Sequence, residues 1–239
     1  MAKQPTPESL EGRWDILYRD YPEVYDEFAR IPKDPEFVGF IMDRFALKEK
    51  WILDVGSGTG DSTFKLATQA GFVLGIEIED AMMSQAVANA RTSRVRNVAF
   101  LAANAEDLPL ADNSVDAALA ITLAACDTAR AAAEMERVVR SGGLVLRGDV
   151  APGWYGGHLE PIITGQPRDE TVPPGSVGDV HARLGYESLD VYMTQDYRTI
   201  EKAIRTYGFI HSKRVIDHIR ANGVTTIRWK FRIWFKTVS

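Results

Sequence analysis

The sequence predicts an α/β fold in which a mostly parallel sheet is covered by helices on both faces. From Trp51 onward, short apolar runs alternate with segments of helical spacing, the pattern that brings strands side by side in parallel. Those runs are apolar throughout rather than at every second position, as strands buried on both faces are. The chain has 239 residues, 45% hydrophobic and 26% charged, enough for one large α/β domain with a real core.

Taken in order, residues 1–10 form a polar, Pro-containing tail, and residues 11–45 read as two helices. Trp14, Leu17, Tyr18, Tyr21, Val24, Tyr25 and Phe28 recur at helical spacing, and Phe37, Phe40, Ile41 and Phe45 follow the Pro32 and Pro35 breaks. Strands are expected at WILDVG from Trp51, FVLGIEIE from Phe72, VAFLAAN from Val98, VDAALAIT from Val115 and LVLRGDV from Leu144. Between them lie a helix closed by Gly71, a second capped by Asp80, and an Ala-rich third capped by Asp127 and closed by Gly142. Residues 151–180 hold eleven of the thirty Gly and Pro residues and read as a long loop. ESLDVYMTQDY from Glu187 is a sixth strand, and residues 199–222 are helical, with Gly208 placed to kink them. The chain closes on an alternating strand. Ile227, Trp229, Phe231, Ile233 and Phe235 share one face; Arg228, Lys230, Arg232 and Lys236 share the other, with Trp234 the exception.

Composition excludes several functions. A net charge of −5 argues against nucleic acid as the main partner. Cys126 is the single cysteine, so neither an intrachain disulfide nor a Cys-rich metal site is expected, and no metal site is assigned. The N-terminus lacks the apolar core of a signal peptide, and no apolar stretch is long enough to span a bilayer. A cytoplasmic protein without membrane insertion, monomeric or homodimeric, is the expectation.

The stretch WILDVGSGTGD, Trp51–Asp61, carries the chemistry. Gly56, Gly58 and Gly60 follow an apolar run ending in Asp54, so a ligand must approach the backbone at a strand-to-helix turn. A phosphate-binding P-loop is rejected because Asp61 and Ser62 follow Gly60, with no lysine. The spacing G-x-G-x-G, followed by Asp61, also weighs against a dinucleotide, whose pyrophosphate an acid there repels. S-adenosylmethionine has no phosphate, and its cationic sulfonium and ammonium favour carboxylates such as Asp54 and Asp61.

At these residues the chain resembles the class I S-adenosylmethionine-dependent methyltransferases, especially the small-molecule branch that includes ubiquinone and menaquinone biosynthesis enzymes. LDVGSGTGD is similar to the family's first motif, and VLGIEIEDAMMSQA to its second strand and helix. NAEDLPLADNSVDAAL is similar to its adenine loop and fourth strand, and EMERVVRSGGLVL to its Gly turn and fifth strand. The resemblance implies a Rossmann-like, doubly wound, mostly parallel seven-stranded sheet with an antiparallel last strand. An N-terminal helical lid (1–47), a cofactor core (48–150) and an acceptor-side region (151–239) with a helical insertion before the last strand complete a single domain. It implies S-adenosyl-L-methionine as cofactor, methyl transfer to a small-molecule acceptor, and contacts from Tyr25, Asp54, Gly56, Ser57, Gly58, Gly60, Glu77, Ile78, Met82, Asn104, Ala105, Glu106 and Thr122. Glu77, at its strand end, is expected to accept the ribose hydroxyls. Asn104 stands where the family usually has Asp, and takes the adenine amine; the N–H of Ala105 or Glu106 serves the ring nitrogen. Ile78 and Leu108 are candidates to sandwich the adenine, with ordinary core packing the competing role.

The acceptor is expected beyond the carboxyl ends of the strands, near ITLAACD, the segment DVAPGWYGGHLEP that follows the fifth strand, and the lid tyrosines Tyr18, Tyr21 and Tyr25. His158 is the candidate base and Tyr155 a second catalytic candidate, with Trp154 beside them as an aromatic face. The basic row on the last strand reads either as a solvated face or as an anion-attracting surface. His211 is expected to be structural. An NAD(P)-linked oxidoreductase and a catalytically silent cofactor-binding subunit are the alternative functions.

Overall fold

The computed structural model describes residues 9–122 and 128–239. The expected cap Asp127, Cys126 and most of ITLAACD lie outside the described residues.

The N-terminal segment makes three helices rather than two: α1 (Trp14–Asp20), α2 (Pro22–Ala29) and α3 (Phe37–Arg44). Pro22 at the first position of α2 starts a new helix after Tyr21, because proline is preset for a first turn and cannot continue one. Between α2 and α3 runs a two-residue strand, β1 (Lys33–Asp34). The alternating core follows: β2 (Trp51–Val55), α4 (Asp61–Ala67), β3 (Phe72–Glu77), α5 (Asp80–Thr92), β4 (Val98–Ala102), β5 (Val115–Ile121), α6 (Ala129–Val138) and β6 (Val139–Val150). The Gly- and Pro-rich stretch holds β7 (Tyr155–His158), α7 (Glu160–Thr164) and the start of α8 (Val177–Arg183). Last come β8 (Glu187–Asp196), α9 (Ile200–Ala203), a π-helical turn at Ile204–Gly208, α10 (Phe209–His211), α11 (Lys213–Asn222) and β9 (Thr226–Thr237).

Eight strands form one sheet in the order β1-β8-β9-β6-β5-β2-β3-β4. The pairs β2–β3, β3–β4, β2–β5 and β5–β6 are parallel, while β9 runs antiparallel to both β6 and β8. The seven expected strands are joined by an eighth, β1, antiparallel to β8 at the sheet edge. Ile52, Leu119 and Leu146 face one buried layer with Trp229 and Phe231. Leu53, Val55, Ala118 and Val145 face the other, with α6. The period of two along each strand divides a continuous apolar run between two cores.

Several local expectations change. Glu79, not Asp80, occupies the N-cap of α5, and it caps with no side-chain bond. Thr128 caps α6, its hydroxyl accepting from the Ala131 N–H. Gly142 sits in the first part of β6 rather than closing α6, because α6 ends at Val138. Gly71 lies past the end of α4, where a Cβ would stand 2.7 Å from the Glu49 carbonyl oxygen, so close approach requires the glycine. The helical break falls at the extended Ser212, not at Gly208, which sits in the π turn.

Most of the basic row on β9 is paired with acids, while Arg228 stands exposed. Strand β9 lies inside the sheet, and Lys230 pairs with Glu170 (2.9 Å) and Asp190 (3.2 Å), Arg232 with Asp190 and Lys236 with Glu136. Trp234 joins the α6 core. His211 is buried beside Tyr207 and Trp14, as a structural residue should be.

Candidate active site

A cavity of about 280 Å³ opens along the carboxyl edge of the sheet. It runs from the turn after β2 (Gly56, Ser57), past the ends of β5 (Ile121, Thr122) and β6 (Asp149, Val150). It continues across β9 (Trp229, Phe231) and β8 (Gln195) to Lys33 on β1. Helices α1 and α2 roof it with Trp14, Tyr18, Tyr25 and Phe28.

The glycine turn has the geometry its composition predicts. Gly56, Gly58 and Gly60 have φ of +71°, +55° and +89°, the left-handed region that side chains disfavour. A Cβ on Gly58 would stand 3.3 Å from the Met82 methyl and 3.4 Å from the Tyr25 ring, which press on the turn from both sides. Glu77 ends β3 and locks the turn: its Oε2 accepts from the Gly58 N–H (3.0 Å), and its Oε1 from Ile78 and Glu79. A carboxylate so held still has a lone pair for a ligand hydroxyl, because its two oxygens offer about four acceptor sites. Asn89 of α5 ties the turn to the roof, its amide donating to the Thr59 carbonyl and to Asp26 of α2.

Asp54 is placed differently from expectation. It lies buried beneath the turn, not on the cavity wall, and accepts the Thr63 hydroxyl at 2.6 Å. Burial raises its pKa to about 7, opposed by that hydrogen bond and reinforced by Glu77 and Asp61. Its role is to brace the start of α4. Asp61 lines the cavity and pairs with Lys65 at 2.7 Å. The buried hydroxyls of Ser57 and Thr59, both lining the cavity, have no hydrogen-bond partner among the described residues. The left-handed glycines, the held Glu77 and these two hydroxyls together suit a polar ligand that reaches the backbone.

At the adenine side the structure divides the candidates. Ile78 is 66% exposed, whereas Leu108 is buried in the α6 core and its N–H donates to Glu134. Of the two, only Ile78 is exposed where a ligand could reach it. Asn104 Oδ1 accepts from the Glu106 N–H (2.9 Å), closing a local turn. That bond engages Glu106, so Ala105 is left as the donor candidate. Thr122 at the end of β5 has φ +54°, unusual for a β-branched residue, and hydrogen-bonds Tyr25. Burial raises the pKa values of Tyr18 and Tyr25 and keeps both hydroxyls protonated. Tyr21 faces away, edge-on to Phe209.

The structure does not bring His158 to the cavity. Its Nδ1 accepts from the Arg228 N–H (3.0 Å), and burial lowers its pKa. A neutral ring with Nδ1 engaged carries its proton on Nε2, so neither nitrogen is free to accept another. Trp154 is also elsewhere: Arg168 stacks on its ring at 3.7 Å, and its indole donates to Glu170. Tyr155 does line the cavity.

Sequence reasoning missed Lys33, Glu36, Gln195 and Trp229; its segment DVAPGWYGGHLEP begins with Asp149, but it singled out His158 there instead. Asp149 is the next-to-last residue of β6, as the strand-end rule allows. Its carboxylate accepts from Arg147 (2.8 Å) and from the Val150 N–H, and burial pushes its pKa up against the pull of Arg147. Lys33, Gln195 and Trp229 give no local signal, because pairing of β1, β8 and β9 brings them together.

Comparison with known proteins agrees with this geometry. Residues 52–143 match a family model described as a methyltransferase domain. A malonyl-[acyl-carrier protein] O-methyltransferase of Hamiltonella defensa is 24% identical over 84% of this chain and 73% of its own length. A ubiquinone/menaquinone biosynthesis C-methyltransferase of Acidiphilium cryptum is 37% identical over 57% of this chain; the match spans about half of that relative, 53%. The YcgJ protein of Bacillus subtilis shares the fold, with a TM-score of 0.56 at 17% identity over 83% of this chain and 95% of that one.

Proposed function

We propose that this chain, which belongs to the class I S-adenosylmethionine-dependent methyltransferases, moves the cofactor's methyl group onto a small-molecule acceptor held in the same cavity. The observation that carries this reading is Glu77, fixed by the Gly58 N–H beside three left-handed glycines. When bound, the cofactor supplies a methyl carbon already activated by its sulfonium. Glu77 would take the ribose, Ile78 and Ala105 the adenine, and the glycine turn with Thr122 the remainder. Residues 1–47 act as lid, 48–150 as cofactor core and 151–239 as acceptor side.

What the protein contributes is alignment and exclusion of water. Tyr18 and Tyr25, neutral and roofing the cavity, do the excluding. Asp149, on the cavity wall at the end of β6, replaces His158 as the titratable group that meets the acceptor. Tyr155 contributes acceptor contact from β7. The two relatives named here are an O- and a C-methyltransferase, and oxygen or carbon is the acceptor atom proposed.

Calorimetry tests the reading. S-adenosylhomocysteine is expected to bind in the micromolar range, and NADH not at all. Binding of NADH instead of S-adenosylhomocysteine overturns it.

A further inference from the structure

Two lysines line the cavity, and their surroundings differ. Lys65 on α4 is neutralised by two carboxylates, Asp61 at 2.7 Å and Glu36 at 3.2 Å. Lys33 on β1 has no carboxylate among the described residues within ion-pair distance. Its ammonium donates to two backbone carbonyls, Ala29 at 2.8 Å and Ile31 at 3.4 Å. An ammonium has three hydrogens, so one remains. The residue as a whole is half-buried, yet its ammonium is desolvated enough that the pKa falls to about 8, with Lys65 lowering it further and Asp61 and Glu36 opposing. A desolvated cation without a counter-charge is costly, and an anion brought by a ligand removes that cost.

The position of Lys33 identifies which ligand. In the sheet order, β1 lies five strand steps from β2, roughly 24 Å across the backbone at about 4.8 Å per step. The backbone of Lys33 thus lies across the sheet from the glycine turn, while its ammonium reaches back within electrostatic range of Asp61 and Lys65 on α4. Between the turn and β1 the walls are aromatic: Phe28, Phe37, Trp229 and Phe231. The Phe37 and Phe231 rings lie 4.8 Å apart, centroid to centroid. Trp229 is fixed by Gln195, whose Oε1 accepts from its indole (3.0 Å) and from Tyr197, while its amide donates to the Phe28 carbonyl. The fully buried Gln195 is thus consumed in holding the wall rigid.

We propose that Lys33 anchors the acceptor, and that the acceptor is a small aromatic or apolar molecule bearing a carboxylate or phenolate. This rests on the methyltransferase reading above. The lysine holds the anionic group and the aromatic walls hold the body, which directs the reacting atom toward Asp149 and the cofactor. The site is a positioning device. Lys33 takes no part in methyl transfer itself.

The test uses the full chain saturated with S-adenosylhomocysteine. Benzoate, phenylacetate and indole-3-carboxylate are titrated by tryptophan fluorescence and calorimetry beside benzamide and indole-3-carboxamide. The carboxylates should bind about tenfold or more tighter than the amides, the scale of one charge-assisted contact. That preference should fade as pH rises above about 8. Lys33→Met should abolish the preference and leave S-adenosylhomocysteine affinity within about twofold, while Lys33→Arg retains the preference. Thermal melts confirm that both variants fold. Equal binding of acids and amides, or no binding of any acid, overturns the proposal. So does a Lys33→Met variant that loses S-adenosylhomocysteine affinity and keeps the acid preference, for the lysine then serves the cofactor's own carboxylate. Failure of the wild type to bind S-adenosylhomocysteine breaks the methyltransferase reading instead, and is seen before any acid is added.

Discussion

Around the glycine turn and the end of β3 beside it, the groups that would meet a ligand come largely from one stretch of sequence, Gly56 to Ile78. Where the cavity crosses β9, β8 and β1 they come from Lys33, Gln195, Trp229 and Phe231, nearly two hundred residues apart along the chain. The first region is backbone and carboxylate; the second is aromatic ring and an ammonium held only by backbone carbonyls among the described residues. A turn that a ligand touches through its backbone needs its glycines in fixed order, so it leaves a readable string. A wall built from side chains on paired strands needs only that the strands pair, and leaves none.

Substitutions in the two regions should separate these contributions, beginning with the largest. Asp54 lies under the glycine turn with its pKa raised to about 7, whereas in an unfolded chain it ionises near the ordinary value of 3.8. Between these values the folded protein binds the extra proton, so this group's contribution falls as pH rises, and above about 7 the whole cost of a buried charge is present. Asp54→Asn keeps an oxygen for Thr63 and removes the charge. It should stabilise the protein by roughly 2–4 kcal/mol at pH 8, a gain that shrinks as pH falls toward 5. Denaturant unfolding at several pH values measures this, and a pH-independent difference would show that Asp54 is ionised throughout.

Next in size is Glu77→Ala. It removes the acceptor of three backbone N–H groups as well as the ribose contact, and should weaken S-adenosylhomocysteine binding by roughly 1.5–3 kcal/mol, about tenfold or more. Calorimetry reads the loss. Unchanged affinity would remove Glu77 from the site and, with it, the contrast between the two regions.

The smallest effect belongs to Asn104. Its Oδ1 already accepts from the Glu106 N–H, and Asn104→Asp keeps that bond and adds charge. Cofactor binding should hold or improve, by at most about 1–2 kcal/mol. A large loss would assign the Asn104 amide nitrogen a donor role that Asp lacks.

How far the sequence reached can be judged residue by residue. The left-handed φ at Gly56, Gly58 and Gly60 and the strand-end place of Glu77 follow from local composition and spacing. So does the alternating core, whereas the antiparallel last strand is implied by the family resemblance. His158 shows the limit. The sequence places it after a strand end, in a glycine-rich loop, with a suitable pKa. In the structure that loop forms β7 beside β9, and the ring is spent on the Arg228 N–H. The basic row of β9 shows the same limit, because the acids that pair with it, Asp190, Glu170 and Glu136, lie 40 to 100 residues upstream.

The sequence by itself determined the α/β class, the glycine turn, the acid at the end of β3 and the edge of the sheet where ligands bind. All of these depend on backbone conformation or on a period of two or 3.6, and both are written locally. Only the tertiary structure decided which side chains face the cavity away from the glycine turn, that Asp149 and not His158 lines it, and that Lys33 has carbonyls but, among the described residues, no carboxylate within ion-pair distance. Those outcomes depend on which distant strand lies next to which, and on which charges that neighbour brings.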